Sequence, residues 1–196
     1  MTTREYSPEI DEKGAEIERP TGVVQGILAD VIELPEAPDP FKPGKMKKQL
    51  IFVYQLMETL TVDGKEVRFC QTEFLTDSLH EKSTMRKRME AILGCRLKAL
   101  YKKAEAMGKK SFRIDLDKLV GRNLMLTISK KEDSNYTRID SAAPLMKGLE
   151  EQKLEGYERP EWIADKIKDM KSEEQIEAER EESLEDVDLS SIIDSM

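Results

Sequence analysis

The chain has 196 residues, a formal net charge of −8 and 38% hydrophobic residues. Its apolar residues concentrate between Gly22 and Leu149, enough for one modest core, and no apolar run approaches the roughly 20 residues of a membrane span. The N-terminus lacks the apolar segment of a secretory signal, and Cys70 and Cys95 are too few for a disulfide framework or a zinc site. We therefore expect one cytoplasmic domain with tails.

Charge is sorted by position along the chain. Residues 41–148 carry 23 Lys and Arg against 13 Asp and Glu. Residues 1–40 carry 3 against 10, and residues 149–196 carry 6 against 17. Because the field that a polyanion meets is local, the acidic total does not exclude nucleic-acid binding. The pattern predicts a basic binding domain flanked by acidic segments.

The first part of the domain reads as three strands. Residues 21–34 form the first strand, with a bend marked by Gly26. A loop is predicted over residues 35–44, which contain four prolines. Residues 48–57 then form a buried strand, and residues 66–76 return after an Asp-Gly hairpin turn.

A helix is predicted after the third strand. Ser78 and Glu81 stand at the spacing of a capping box, which makes Ser78 the N-cap. Apolar residues then recur at helical spacing as far as Gly94, which ends the helix. A second helical stretch ends at Gly108.

The last part of the domain reads as two strands and a helix. Residues 123–129 and 136–141 form a strand pair joined by a polar connector. Pro160 opens a third helix at the first position that proline prefers. From residue 171 onward the chain is acidic with scattered apolar residues.

This order predicts a mainly β fold with helices, in the form of a five-stranded OB-fold barrel with a helix between strands 3 and 4. A C-terminal helix and a disordered acidic tail complete the prediction. A generic α+β domain has the same ingredients and remains open. The predicted organisation is a flexible acidic segment, an OB-fold domain and an acidic tail: residues 1–20, 21–170 and 171–196.

Four segments resemble the single-stranded DNA-binding proteins encoded by tailed bacteriophages. They are SLHEKSTMRK at residues 78–87, IDLDKLVG at 114–121, YTRIDSAAPLMK at 136–147 and PEWI at 160–163. The resemblance covers residues 22–170. It implies an OB-fold, sequence-tolerant binding of single-stranded DNA, and a role in phage replication or recombination.

Binding of single strands needs cations along a groove and flat aromatic faces on which bases stack. The candidate aromatic contacts are Phe41, Phe74 and Tyr136. The candidate cations are Lys45, Lys47, Lys48, Arg68, Lys82, Arg86, Lys130, Lys131 and Arg138. A solvated surface position is the alternative explanation for any one of these cations. Phe52, Tyr54 and Phe69 share the phase of apolar neighbours, which favours the core.

The sequence lacks the parts for several kinds of catalysis. His80 is the only histidine, and no Gly-rich phosphate loop or cysteine cluster accompanies it. Asp115 and Asp117 are a weak candidate pair for a metal-dependent nuclease. We therefore expect no enzymatic activity, no cofactor and no metal. The main alternative function is an acidic protein-interaction or DNA-mimic module that uses the barrel as a scaffold.

The acidic tail has its own predicted role. Residues 172–196 contain one basic and ten acidic residues. A purely solubilising tail would not need the apolar residues interleaved among them. Acidic tails with apolar ends resemble those of bacterial and phage single-strand binders, and this resemblance implies the recruitment of replication or recombination proteins. A solvated tail without a partner is the alternative, and competition with DNA for the basic surface is a further hypothesis. The apolar positions are Leu184, Val187, Leu189, Ile192 and Ile193.

Overall fold

The computed structural model describes residues 19–39, 43–62, 65–110, 114–131 and 136–170, without the side chains of residues 62, 65, 168 and 169. The described chain is mainly β, with five strands, three α-helices and one 3-10 turn. The strands are β1 (Gly22–Pro38), β2 (Met46–Val62), β3 (Lys65–Thr76), β4 (Asn123–Lys130) and β5 (Thr137–Pro144). The helices are α1 (Thr84–Leu93), α2 (Leu97–Ala106) and α3 (Glu161–Asp169), and the 3-10 turn is Asp117–Leu119.

The five strands form one antiparallel sheet in the order β3-β2-β1-β4-β5. β4 pairs with the first part of β1, from Gly22 opposite Ile128 to Ile27 opposite Asn123. The β4–β5 pairing shifts register between Thr127 and Ile128, which indicates a bulge. The five predicted strands and the mainly β class are confirmed.

One face of the sheet carries the main core. Alternate residues of the strands point into it, because successive side chains of a strand lie on opposite faces of the sheet. The predicted core positions Phe52, Tyr54 and Phe69 are all buried there, and the first two rings pack edge to face at 6.3 Å. Met85 and Met89 of α1 belong to the same cluster, so the first helix closes this core.

Gly26 lies in β1 where neighbouring side chains leave no room for a Cβ atom. We expected a bend at this residue, but β1 runs through it as a continuous strand. A Cβ atom at this position would lie 2.9 Å from Cδ1 of Leu126 and 3.4 Å from Cδ2 of Leu56. The missing side chain therefore lets β1 lie close to the core leucines of β2 and β4.

The prediction of a loop over residues 35–44 was wrong for its first part, because β1 continues to Pro38. The backbone N–H of Asp39 donates to the carbonyl of Lys45 at 2.8 Å, so the β1–β2 hairpin extends beyond this proline. Successive residues of a strand direct their N–H groups to opposite sides. Because the N–H of Asp39 points toward β2, the nitrogen of Pro38, which has no hydrogen to donate, points away from β2. β4 pairs with β1 only as far as Ile27, so no ladder is interrupted there.

The predicted capping box was also wrong. α1 begins at Thr84, and Ser83 is its N-cap, with Oγ accepting from the N–H of Arg86 at 3.2 Å. Ser78 instead stabilises the preceding turn, where its Oγ accepts from the N–H of His80. The predicted helix ends are confirmed, since Gly94 caps α1 with φ 65° and Gly108 follows α2 with φ 71°.

The described chain divides into two compact units, residues 19–32 with 50–158, and residues 33–49 with 159–170. In the second unit Lys48 pairs with Glu36 at 3.0 Å, and Leu34 and Ile163 are buried.

Pro160 is the N-cap of α3, one residue before its predicted position. No helix of the described chain is long and apolar enough to cross a membrane.

Replacing Tyr54 by phenylalanine is expected to stabilise the protein by about 1 kcal/mol. The Tyr54 hydroxyl is fully buried and has no hydrogen-bond partner among the described residues, which costs about 1–3 kcal/mol. Burial, and secondarily the charge of Glu73, raises the pKa of Tyr54 well above its ordinary value near 10. The folded state therefore holds this proton more tightly than the unfolded state does, so ionisation of Tyr54 in the unfolded state lowers the stability of the wild type as pH rises above about 10.

Urea unfolding of the wild type and the Tyr54→Phe variant at pH 7 and pH 10.5 measures both effects. The variant should be more stable at pH 7 and should lose less stability at pH 10.5. Tyr157→Phe is the matched control, because its hydroxyl donates to Oδ2 of Asp30 at 3.0 Å and its loss should destabilise. A Tyr54→Phe variant less stable than the wild type would contradict the prediction.

Candidate nucleic-acid interface

The two edge strands of the sheet, β3 and β5, are joined through side chains. Nε2 of Gln71 on β3 donates to the carbonyl of Thr137 on β5 at 3.2 Å. Oγ1 of Thr137 donates to Oε1 of Gln71 at 2.8 Å. Both residues are buried, so this pair forms a polar joint inside the protein.

A buried arginine of α1 also connects β3 and β5. The boundary between these two edge strands is called the seam. Arg88 donates to both carboxylate oxygens of Glu73 on β3, each at 2.7 Å, and to the carbonyl of Ile139 on β5 at 2.9 Å. Burial lowers the pKa of Arg88, but the hydrogen bond and charge of Glu73 outweigh it and the pKa is raised. Arg88 is therefore a permanent cation that binds both edge strands to α1.

These contacts give the direction of the strands at the seam. Residue 71 meets residue 137, and residue 73 is linked through Arg88 to residue 139. Moving two residues toward the C-terminus on β3, from 71 to 73, corresponds to moving two residues toward the C-terminus on β5, from 137 to 139. β3 and β5 are therefore parallel to each other. The seam therefore has parallel edges that side chains connect.

A groove of about 520 Å³ lies over this seam. It brings together Phe74 of β3, Lys82 before α1 and Arg138 of β5, three residues that the sequence predicted separately. Phe74 is 40% exposed, and the groove also contacts the Arg88–Glu73 pair. The remaining lining residues are Leu75, Thr76, Ser83, Thr84, Met85, Ile139 and Asp140.

The end of the β4–β5 hairpin continues from the groove through Arg138. The strand register places Lys130 opposite Thr137 and Ser129 opposite Arg138. Nε of Arg138 contacts Oδ1 of Asp140 at 2.9 Å and Oγ of Ser129 at 3.3 Å, while most of its side chain remains exposed. Lys131 donates its N–H to the carbonyl of Tyr136, whose side chain is 67% exposed. Lys130, Lys131, Tyr136 and Arg138 therefore form one exposed cluster.

The face of the sheet opposite the main core, here called the outer face, is crossed by the chain that follows β5. This segment, residues 150–157, is called the strap. Nε2 of Gln25 donates to the carbonyl of Glu150 at 2.9 Å. Asn123 both donates to the carbonyl of Gln152 and accepts from its N–H, each at 2.9 Å. One end of the strap is thus held by β1 and β4.

The other end of the strap is held by β2 and β3. Gln55 donates to the carbonyl of Glu155 at 2.6 Å and accepts from its N–H at 3.0 Å. Arg68 donates to the carbonyl of Lys153 at 3.1 Å and pairs with the Glu155 carboxylate at 2.8 Å. Arg68, which the sequence predicted as a DNA contact, binds the strap in this structure.

The outer face is apolar beneath these polar contacts. Ile27, Ile51 and Val53 alternate in phase with Gln25 and Gln55, and all three are fully buried. Uncovering them would cost roughly 5–9 kcal/mol at about 1.5–3 kcal/mol each. That equals the whole free energy of micromolar binding, about 8 kcal/mol. A ligand with an affinity in that range would not displace the strap, so the open groove over the seam is the better candidate site.

Sequence reasoning missed the strap. Its own residues have no regular period, so no strand or helix pattern marks it. A signal exists in the strands, where Gln25 and Gln55 interrupt apolar runs at outward positions. Gln55 is buried and Gln25 partly buried, and a side-chain amide removed from water requires a partner. Here the partner is backbone 100 or more residues away.

Replacing Gln55 by alanine is expected to loosen one end of the strap and lower stability by about 1–2 kcal/mol. The variant loses two hydrogen bonds and leaves the N–H and carbonyl of Glu155 without their partner. Hydrogen exchange measures the local effect, because the Glu155 amide should lose protection while the Gln152 amide keeps it.

Asn123→Ala is the matched control for this prediction. It removes the two contacts with Gln152 and should reverse the pattern of amide protection. Unchanged protection of Glu155 in the Gln55→Ala variant would show that the amide contacts do not hold the strap.

The residues that line the groove do not include the other predicted contacts. Lys45, Lys47 and Lys48 belong to the second unit, at the end of the β1–β2 hairpin. Arg86 contacts Oε1 of Glu90 at 3.1 Å and the carbonyl of Leu79 at 3.4 Å, which ties it to its own helix and the turn before it. Phe41 and the tail positions Leu184, Val187, Leu189, Ile192 and Ile193 lie outside the described residues.

The side chains of two residues considered for catalysis, His80 and Asp115, have local partners. Nδ1 of His80 accepts from the N–H of Lys82 at 3.3 Å, and Asp115 pairs with Lys118 at 3.2 Å. Within the described ranges no three His, Cys, Asp or Glu side chains converge as a metal site would require. Burial raises the pKa of the Cys70 thiol, which lowers its reactivity as a nucleophile.

A scan against protein-family models and searches of curated proteins and of solved structures found no match to this chain.

Proposed function

We propose that this protein binds single-stranded DNA without strong sequence preference, through an OB-fold barrel, and that it serves phage replication or recombination. The strand order β3-β2-β1-β4-β5, with side chains linking parallel β3 and β5, supports the barrel. The sequence resemblance supports the phage context.

The groove over the seam carries the proposal. Phe74, Lys82 and Arg138 come from three separate elements and line one open cavity. A single strand presents a charged backbone and flat bases, so it needs cations and an aromatic face side by side. Tyr136, Lys130 and Lys131 continue the same chemistry at the hairpin end.

In the proposed mode, the strand lies in the groove and leaves it over the β4–β5 hairpin. Phosphates contact Lys82, Arg138, Lys130 and Lys131, and each contact releases counterions. Bases stack on Phe74 and Tyr136. The strap keeps the outer face closed, so Arg68 supports the fold without touching the strand.

A fluorescence-anisotropy titration with labelled oligo-thymidine at several salt concentrations tests the proposal. Affinity should fall as salt rises, with a log–log slope of about −0.7 for each phosphate contacted, or about −3 for four. A labelled duplex and an oligo-uridine of the same length provide the comparison. Lack of binding at low salt would refute the proposal and favour a DNA-mimic or protein-interaction module.

A further inference from the structure

The second helix, α2, carries a concentration of positive charge outside the groove. The segment from residue 96 to residue 110 contains six basic residues and one acidic residue, Glu105. All six basic side chains are exposed. They are Arg96, Lys98, Lys102, Lys103, Lys109 and Lys110.

These cations are not used by the described fold. Among the described residues, none of the six forms an ion pair within 4.0 Å. By contrast, Arg68, Arg86 and Arg88 all pair with carboxylates in the same unit. The charge of α2 therefore faces solvent without compensation.

Helix geometry aligns part of this charge. Leu97 and Ala104 point into the protein, where both are buried. Lys98 and Lys102 lie one turn apart on the exposed side of α2, and Lys103 lies about 100° around the helix from Lys102. Like charges at this spacing destabilise a helix by about 0.2–0.5 kcal/mol, so folding does not favour this arrangement.

We propose that α2 is a second contact surface for the DNA backbone, which extends the path of a strand bound in the groove. This inference rests on the proposed function. The alignment of unpaired lysines suits a chain of phosphates, and no aromatic side chain is required because stacking is supplied in the groove.

α1 links the two surfaces. Its first turn lines the groove through Thr84 and Met85. The N–H of Leu97, where α2 begins, donates to Oε1 of Glu90 at 3.0 Å. Glu90 is six residues beyond Thr84, or about 9 Å along the helix axis. A stacked strand advances about 3.4 Å per nucleotide and an extended one advances further, so a bound strand needs at most about three further nucleotides to reach α2 from the groove.

The test compares a 6-nucleotide and a 30-nucleotide oligo-thymidine with a variant that carries Lys98→Gln, Lys102→Gln and Lys103→Gln. For the long oligonucleotide, the salt slope should become less negative by about 2 and affinity should fall by up to about 100-fold at 0.1 M salt. Affinity for the short oligonucleotide should stay within about threefold, because it fits the groove alone.

A control variant with Lys118→Gln, Lys147→Gln and Lys153→Gln removes the same charge from other exposed lysines. It should keep the wild-type difference between the two lengths. An α2 variant that binds both lengths like the wild type, or that weakens both equally, would overturn the inference while wild-type binding upholds the proposed function. Failure of the wild type to bind either oligonucleotide would overturn both.

Discussion

The Arg88→Ala variant is expected to lose about 3–5 kcal/mol of stability, the largest effect of a single substitution that we predict. Removal of the guanidinium leaves the largely buried Glu73 carboxylate without its partner and the Ile139 carbonyl without its donor. The joint between α1, β3 and β5 is lost in one step. Urea unfolding followed by circular dichroism measures the change.

Two further variants separate the charge from the packing. Arg88→Met combined with Glu73→Leu removes both charges and retains apolar volume, so it should recover most of the loss. Arg86→Ala removes a neighbouring arginine that pairs with Glu90 within the same helix, and it should cost less than about 1 kcal/mol. A loss below 1 kcal/mol for Arg88→Ala would show that the seam does not depend on this residue.

The Phe74→Ala variant is expected to weaken binding of oligo-thymidine by about 5- to 150-fold with an unchanged salt slope. Loss of one base stack costs about 1–3 kcal/mol and releases no counterions. Tyr136→Ala should behave alike. In contrast, Lys82→Gln and Arg138→Gln should each make the slope less negative by about 0.7. Anisotropy titrations at four salt concentrations distinguish the two kinds of effect.

Conservative variants serve as controls for this prediction. Phe74→Trp keeps a flat ring and should retain or improve affinity. Met146→Ala removes an exposed apolar side chain that does not line the groove, and it should leave binding unchanged. Equal affinity of the Phe74→Ala and Phe74→Trp variants would exclude stacking on this ring.

Patterns of period two predicted the strands well because the two faces of a strand differ locally. Phe52 and Tyr54 fell in phase with apolar neighbours, and both rings are in the core. The glycine stops at Gly94 and Gly108 were predicted because the left-handed backbone there favours glycine. The cap of α1 was misplaced, since Ser78 and Ser83 are both plausible caps and only the turn between them selects Ser83.

The sequence predicted individual residues of the candidate site but not that they line one groove. Phe74, Lys82 and Arg138 were proposed from residue type and phase, and their common groove depends on how β3, α1 and β5 pack. Arg68 was predicted as a DNA contact on the same grounds as Arg138, since both are basic residues on predicted strands. The strap, which binds Arg68 through Lys153 and Glu155, could not be read from its irregular sequence.

The sequence by itself determined the β class, the five strands, the core positions and the basic character of the middle of the chain. Each of these properties follows from the alternation of apolar and polar residues and from the composition of short sequence segments, because it depends on residues that are close together in the chain. Only the tertiary structure decided that the strap covers the outer face of the sheet, that a groove stays open over the seam, and which cations are available there. Those properties depend on contacts between residues that are far apart in the chain, such as Gln55 with Glu155 and Arg88 with Ile139. Local patterns do not record such contacts.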